Sequence, residues 1–187
     1  MLQRGLNGYA GVSDTFLDRY LPTTVRDGLA TLYVDPVNYN TLIRFAIFQS
    51  EGGPVPNGAT IQSATLALYK QYYDDPLRLN ALLKPWIENQ ATWTISQTGV
   101  PWSAGGAAGA GTDYSTTTDA LAAGSFNPGW VSFDVTPRVQ QWSSGGANYG
   151  WRMAQTTAFY QTKVFNSSEY TTDTTLRPKL TVVYSAP

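Results

Sequence analysis

Apolar and polar residues alternate with a period of two through most of the chain, the pattern of half-buried β-strands. In residues 41–48 (TLIRFAIF) the alternation puts Ile43, Phe45 and Ile47 on one face. A Gly/Pro-rich turn at 52–58 follows. Residues 59–73 (ATIQSATLALYKQYY) then set Ala64, Leu66 and Leu68 on one face and Thr65, Ala67, Tyr69, Gln71 and Tyr73 on the other. Further strands are predicted at 15–20, 30–34, 77–83, 130–135, 150–156, 162–166 and 179–184. Many short strands separated by turn residues predict an all-β fold, a jelly-roll-like antiparallel β-sandwich. One short helix is expected. Thr136 is placed to cap it, Pro137 suits its first turn, and Gly145-Gly146 ends it. The run 103–111 (SAGGAAGAG) lacks side chains that anchor a core and reads as a mobile surface loop. Residues 134–184 alone offer too few strands to close a sandwich, so one domain over 1–187 is expected.

Composition narrows the chemistry. Hydrophobic residues make up 42% of the 187, enough for a core, while charged residues make up only 13% against about 25% in ordinary soluble domains. Polar surface is therefore left to Thr, Ser, Tyr, Asn, Gln and Gly. A net charge of −1 supplies no basic stripe for a phosphate backbone, so nucleic acid is not an expected partner. No window approaches the roughly 18 apolar residues that span a bilayer, so membrane insertion is not expected. Residues 1–11 show no apolar leader. The chain has no cysteine and no histidine. That excludes disulfides, thiolate or imidazole zinc sites and histidine-dependent triads.

Several segments, in order, carry a family likeness. They are LNGYAGVSDTFLDRY near the start, GATIQSATLALYK, KPWIENQATW followed by TGVPW, FDVTPRVQQWSSGGANYGW, NSSEY and RPKLTVVY. Together they resemble the DNRLRE, or disaggregatase-related, domain, whose relatives include a carbohydrate-binding family that recognises alginate-like polysaccharide. The likeness covers about residues 3–184. It implies a jelly-roll sandwich attached to secreted enzymes or large surface proteins, with catalysis normally in a separate unit.

The expected function is a non-catalytic extracellular module that binds a polysaccharide or cell-surface glycan, alongside other domains of a larger secreted protein. Aromatic residues are in excess, with 6 Trp, 12 Tyr and 7 Phe, and such rings offer apolar area with a polar handle to the C–H faces of sugars. Tyr69, Gln71, Tyr72 and Tyr73 are the expected contacts. Arg44, Lys70, Arg78 and Arg152 fall on predicted strands and, if those strands share a sheet, would form a basic groove beside the tyrosines for a uronic-acid polymer. Tyr39, Trp102, Tyr114 and Tyr160 fall in expected loops and are weaker candidates, while Trp86, Trp93, Trp130 and Trp142 read as packing residues.

Two other readings compete. A structural or adhesive spacer of a surface protein, filament or phage particle uses the same scaffold. Hydrolysis or lysis of a glycan would need a working set among Asp74, Asp75, Glu88, Asp134 and Glu169, or tyrosines with Arg78, and no motif pairs two acids. No cofactor is required. Calcium, which takes loop carboxylates and carbonyls, is the one ion expected, at Asp14 and Asp18 or at Asp27 and Asp35, although no D-x-D-x-D-G loop is present.

Overall fold

The two-residue period is realised as antiparallel strands. The computed structural model describes residues 1–72, 76–123, 127–156 and 161–187. In chain order the strands are β1 (Leu2–Gln3), β2 (Val12–Asp18), β3 (Thr31–Val34), β4 (Tyr39–Phe45), β5 (Thr60–Tyr72) and β6 (Leu77–Ala81). After them come β7 (Ile95–Gln97), β8 (Val100–Pro101), β9 (Ala120–Ala122) and β10 (Gly129–Asp134), helix α1 (Thr136–Ser143), β11 (Trp151–Gln155), β12 (Lys163–Asn166) and β13 (Lys179–Ser185). One sheet runs β1-β13-β5-β12-β3, with β10 on the other edge of β5. The second runs β2-β4-β11-β6-β9, and β7 pairs with β8 in a small hairpin.

The core lies between the two large sheets, where the alternation placed it. Leu66, Leu68, Phe133, Phe165 and Leu180 from one sheet meet Ile43, Phe45 and Trp151 from the other, all fully buried. Each such side chain contributes about 1.5–3 kcal/mol on burial. The helix closes one end, with the Trp142 and Trp151 rings 4.6 Å apart. Asp134 Oδ1 accepts the Thr136 amide at 3.0 Å and the Thr136 hydroxyl at 2.6 Å, which fixes the helix entry. Gly145 takes φ 101°, and its amide bonds back to Trp142 O; a left-handed residue there ends the helix.

One expectation is corrected. The Gly/Ala run does anchor a core, through Gly106 and Ala107, while most of its other residues are exposed as expected of a surface loop. Residues between β6 and β9 fold over the outer face of the β2-β4-β11-β6-β9 sheet, where Trp86, Trp102 and Ala107 cover Leu17 and Leu42. Ala107 is fully buried. A Cβ on Gly105 would stand 2.4 Å from Trp93 Nε1, and one on Gly106 2.6 Å from the same indole. Small residues are there because the backbone itself lies against the tryptophan. Asp113 organises the run, accepting the amides of Ser103 (2.9 Å), Ala104 (3.1 Å) and Gly109 (2.9 Å) and pairing with Lys84 at 3.2 Å. Among the described residues no helix is long and apolar enough to cross a membrane.

Candidate functional site

Among the described residues the expected sugar contacts are divided between the two sheets. Tyr69 lies on the outer face of the β5 sheet, edge-on to Trp130 at 5.5 Å between ring centroids. Trp130 is half-exposed, but Lys179 Nζ already sits 3.7 Å above its ring. Gln71 Nε2 donates to Asn166 Oδ1 at 2.5 Å. Tyr72, 59% exposed, ends β5, and Tyr73 falls outside the described residues, as do Asp74, Asp75 and Tyr160.

The three arginines belong to the other sheet, on β4, β6 and β11. Among the described residues these three therefore do not share a sheet with Tyr69, Gln71 and Tyr72. Arg152 is buried. Its Nη2 donates to Asn40 Oδ1 at 2.9 Å, and its guanidinium stacks on Tyr114 at 4.9 Å. Burial lowers it to about 10. Because Asn40 also donates to Gly106 O at 2.9 Å, this arginine helps hold the Gly/Ala run down. Arg44 Nε donates to the Asn148 carbonyl at 2.9 Å, and Arg78 is half-buried.

A different aromatic grouping is present where β2, β3 and β4 meet. Tyr33, Tyr39 and Tyr20 follow one another at centroid separations of 5.6 and 6.1 Å. Phe16 packs against the first two at 4.7 and 5.7 Å. Tyr20 is 68% exposed and Tyr33 and Tyr39 half-exposed. Polar groups beside this row are held by two aspartates. Asp18 accepts the Tyr20 and Leu21 amides and pairs with Arg26 at 2.6 Å. Asp35 accepts the amides of Val37 and Asn38. Burial and the charges of Asp18 and Asp35 push the Tyr39 hydroxyl upward, so it remains a donor at neutral pH.

The acidic residues group differently from expectation. Asp18 and Asp35 are turn organisers, engaged by the donors above, whereas Asp14 faces Glu88 and Glu169, with one oxygen from each within 4.8 Å of the others. These residues are far apart in sequence. Asp14 is on β2, the free edge of its sheet, Glu88 is in the segment after β6, and Glu169 follows β12. The Asp14 amide donates to Glu88 Oε1 at 2.7 Å, and the Ser168 amide donates to Asp14 Oδ2 at 2.9 Å. Arg4 pairs with Glu169, and Ser168 Oγ donates to the same oxygen at 2.9 Å. Asp14 Oδ1 and Glu169 Oε2 are buried without a donor.

Electrostatics follow from that packing. Complete burial, then the charges of Glu169 and Glu88, raise Asp14 well above the usual carboxylate range, and the Ser168 amide only partly opposes them. Burial likewise lifts Glu88 to about 7, against the Asp14 amide and with the help of Glu169. Glu88 and Glu169 are expected only among the acids of a candidate catalytic set, and Tyr20 and Tyr33 carry no local signal that marks them as contacts. No local spacing links Asp14 to residues so far along the chain.

A cleft of about 500 Å³ lies elsewhere, between residues 1–9 and Gly52–Val55. Among the described residues no charged side chain lines it. No family model matches the sequence, and a search of curated proteins returns no match.

Proposed function

We propose that this domain is a non-catalytic carbohydrate-binding module of an extracellular protein, and that its sugar site is the tyrosine row Tyr33–Tyr39–Tyr20. The observation that carries the reading is the row itself. Three half-exposed or exposed phenol rings stand side by side on a Phe16 base, flanked by Arg26 and Asn38 in fixed positions. Sugar C–H faces stack on such rings, and ordered polar groups meet the hydroxyls. The Tyr69–Trp130 pair suits a sugar less well, because Lys179 covers the indole face. The likeness to the DNRLRE module supports the same reading.

Catalysis lacks a suitable pair of acids in the acidic group. Asp14 is fully buried, whereas glycoside hydrolysis needs two acids placed across an accessible bond. Affinity for one module should be modest, since a flexible glycan pays ordering entropy over a small contact.

A glycan array that includes alginate and other uronic-acid polymers tests this, with Tyr20→Ala, Tyr39→Ala and Tyr69→Ala variants alongside. Binding lost in the first two and kept in the third supports the tyrosine row. Binding lost only in Tyr69→Ala moves the site to the sheet face. A folded protein silent across the array removes the glycan reading in favour of a structural spacer.

A further inference from the structure

We propose that Asp14, Glu88 and Glu169 form a calcium site that ties three distant chain segments together at the free edge of β2. Proximity of acids alone would not carry this. The deciding observation is that Asp14, completely buried, turns Oδ1 to no donor, and that Glu169 Oε2 is likewise buried and undonated. Every other oxygen named in the group has a partner: Asp14 Oδ2 takes the Ser168 amide, Glu88 Oε1 the Asp14 amide, and Glu169 Oε1 the Arg4 guanidinium and the Ser168 hydroxyl. Buried carboxylate oxygens without donors are costly unless a proton or cation meets them.

Charge points the same way. Against three carboxylates the close cation is Arg4, which leaves a surplus of negative charge in a buried place. A divalent ion balances that surplus. The ligands are all hard oxygens. Calcium–oxygen distances of about 2.3–2.6 Å put opposed ligands up to about 5 Å apart, so three oxygens within 4.8 Å fit around one such ion. Magnesium holds its ligands closer, at about 2.0–2.1 Å, and keeps most of its water.

The ion would act structurally. Residues 86–90 and 166–170 are anchored to β2 at this point, and the latter continues from β12, whose neighbouring Ser167 bonds the carbonyls of Leu29 and Ala30. Those residues lead into β3, beside the tyrosine row. Without the ion, a proton shared between Asp14 and Glu169 is the alternative way to relieve the group. The two occupants differ in what removes them.

The full chain, stripped with chelator and exchanged into buffer above about pH 7, where Glu88 is ionised, is titrated with calcium chloride by calorimetry and melted with and without the ion. One calcium per chain is expected, with a melting temperature higher by about 5–10 °C at a hundredfold excess over Kd. Glu88→Gln keeps an oxygen for the Asp14 amide and should fold. In it and in Glu169→Gln, calcium affinity should fall about tenfold or more. A folded wild type that takes up no calcium overturns the site, as does uptake unchanged in both variants. A melting temperature that follows pH but not calcium assigns the group to a shared proton instead.

Discussion

Asp113 and Asp14 are both completely buried, yet their surroundings are opposite. Asp113 sits among donors. Burial pushes it up, but three backbone amides and Lys84 outweigh that and hold it below the usual carboxylate range. Asp14 sits among other acids, with one amide for company, and is pushed up. The first carboxylate is complete within the protein and uses its charge to fold the Gly/Ala run. The second is incomplete, and its unmet oxygen marks where something from solution belongs. Burial by itself therefore says little about a carboxylate's role. The count of donors around it decides.

The same substitution should separate the two sites by sign. Asp113→Asn turns an amide NH₂ toward backbone N–H donors and leaves Lys84 without its partner, so a loss of about 3–5 kcal/mol is expected in denaturant unfolding. Gly106→Ala attacks the same region from the packing side. Its new Cβ would meet the Trp93 ring and Asn40 at a φ of +78°, and about 2–4 kcal/mol should be lost. Asp14→Asn should instead gain about 0.5–1.5 kcal/mol in calcium-free buffer, because its amide can donate to Glu169 while its oxygen keeps the Ser168 bond. An equal loss at both positions would dissolve the contrast.

The pH response sharpens the contrast further. Glu88 is raised in the folded state from 4.5 to about 7, so its protonated form favours folding. Stability of the calcium-free protein should be fullest below about pH 4.5 and decline as pH rises through about 7, with Glu88→Gln flattening the decline. Asp113 runs the other way: its contribution is present above the ordinary aspartate value of 3.8 and is lost as pH falls through its lowered one. Melting curves across this range read both. The smallest expected change is Tyr20→Ala, which alters an exposed ring and should move stability by no more than about 0.5 kcal/mol while weakening glycan retention.

Much of the fold was legible because alternation is a local property. Leu66 and Leu68, Ile43 and Phe45, and the Asp134–Gly145 helix frame each announce themselves within a few residues. The second core was not, because glycine and alanine show no period: what buries Gly106 and Ala107 is the close packing of the run's backbone on Trp93 and its neighbours, and the sequence offers that residue only as one more tryptophan. The site shows the same division. Asp14 is one of two acids in β2 and nothing local marks it, because its partners are brought to it by sheet order and by segments following β6 and β12. The placement of the three arginines on the other sheet from Tyr69 and Gln71 was hidden for the same reason, since a strand's sheet cannot be read from the strand.

β5 carries a consequence for biosynthesis. This 13-residue strand pairs with β10 on one edge and with β12 and β13 on the other, and all three are made much later, the first beginning at Gly129. A ribosome therefore extends a long, alternating, partnerless strand well before any of its neighbours exist. Chains released early, by truncation or a premature stop, would keep both of its edges open, the arrangement most prone to pair with a second copy. The codons from Gly129 onward thus protect a strand completed nearly sixty residues earlier.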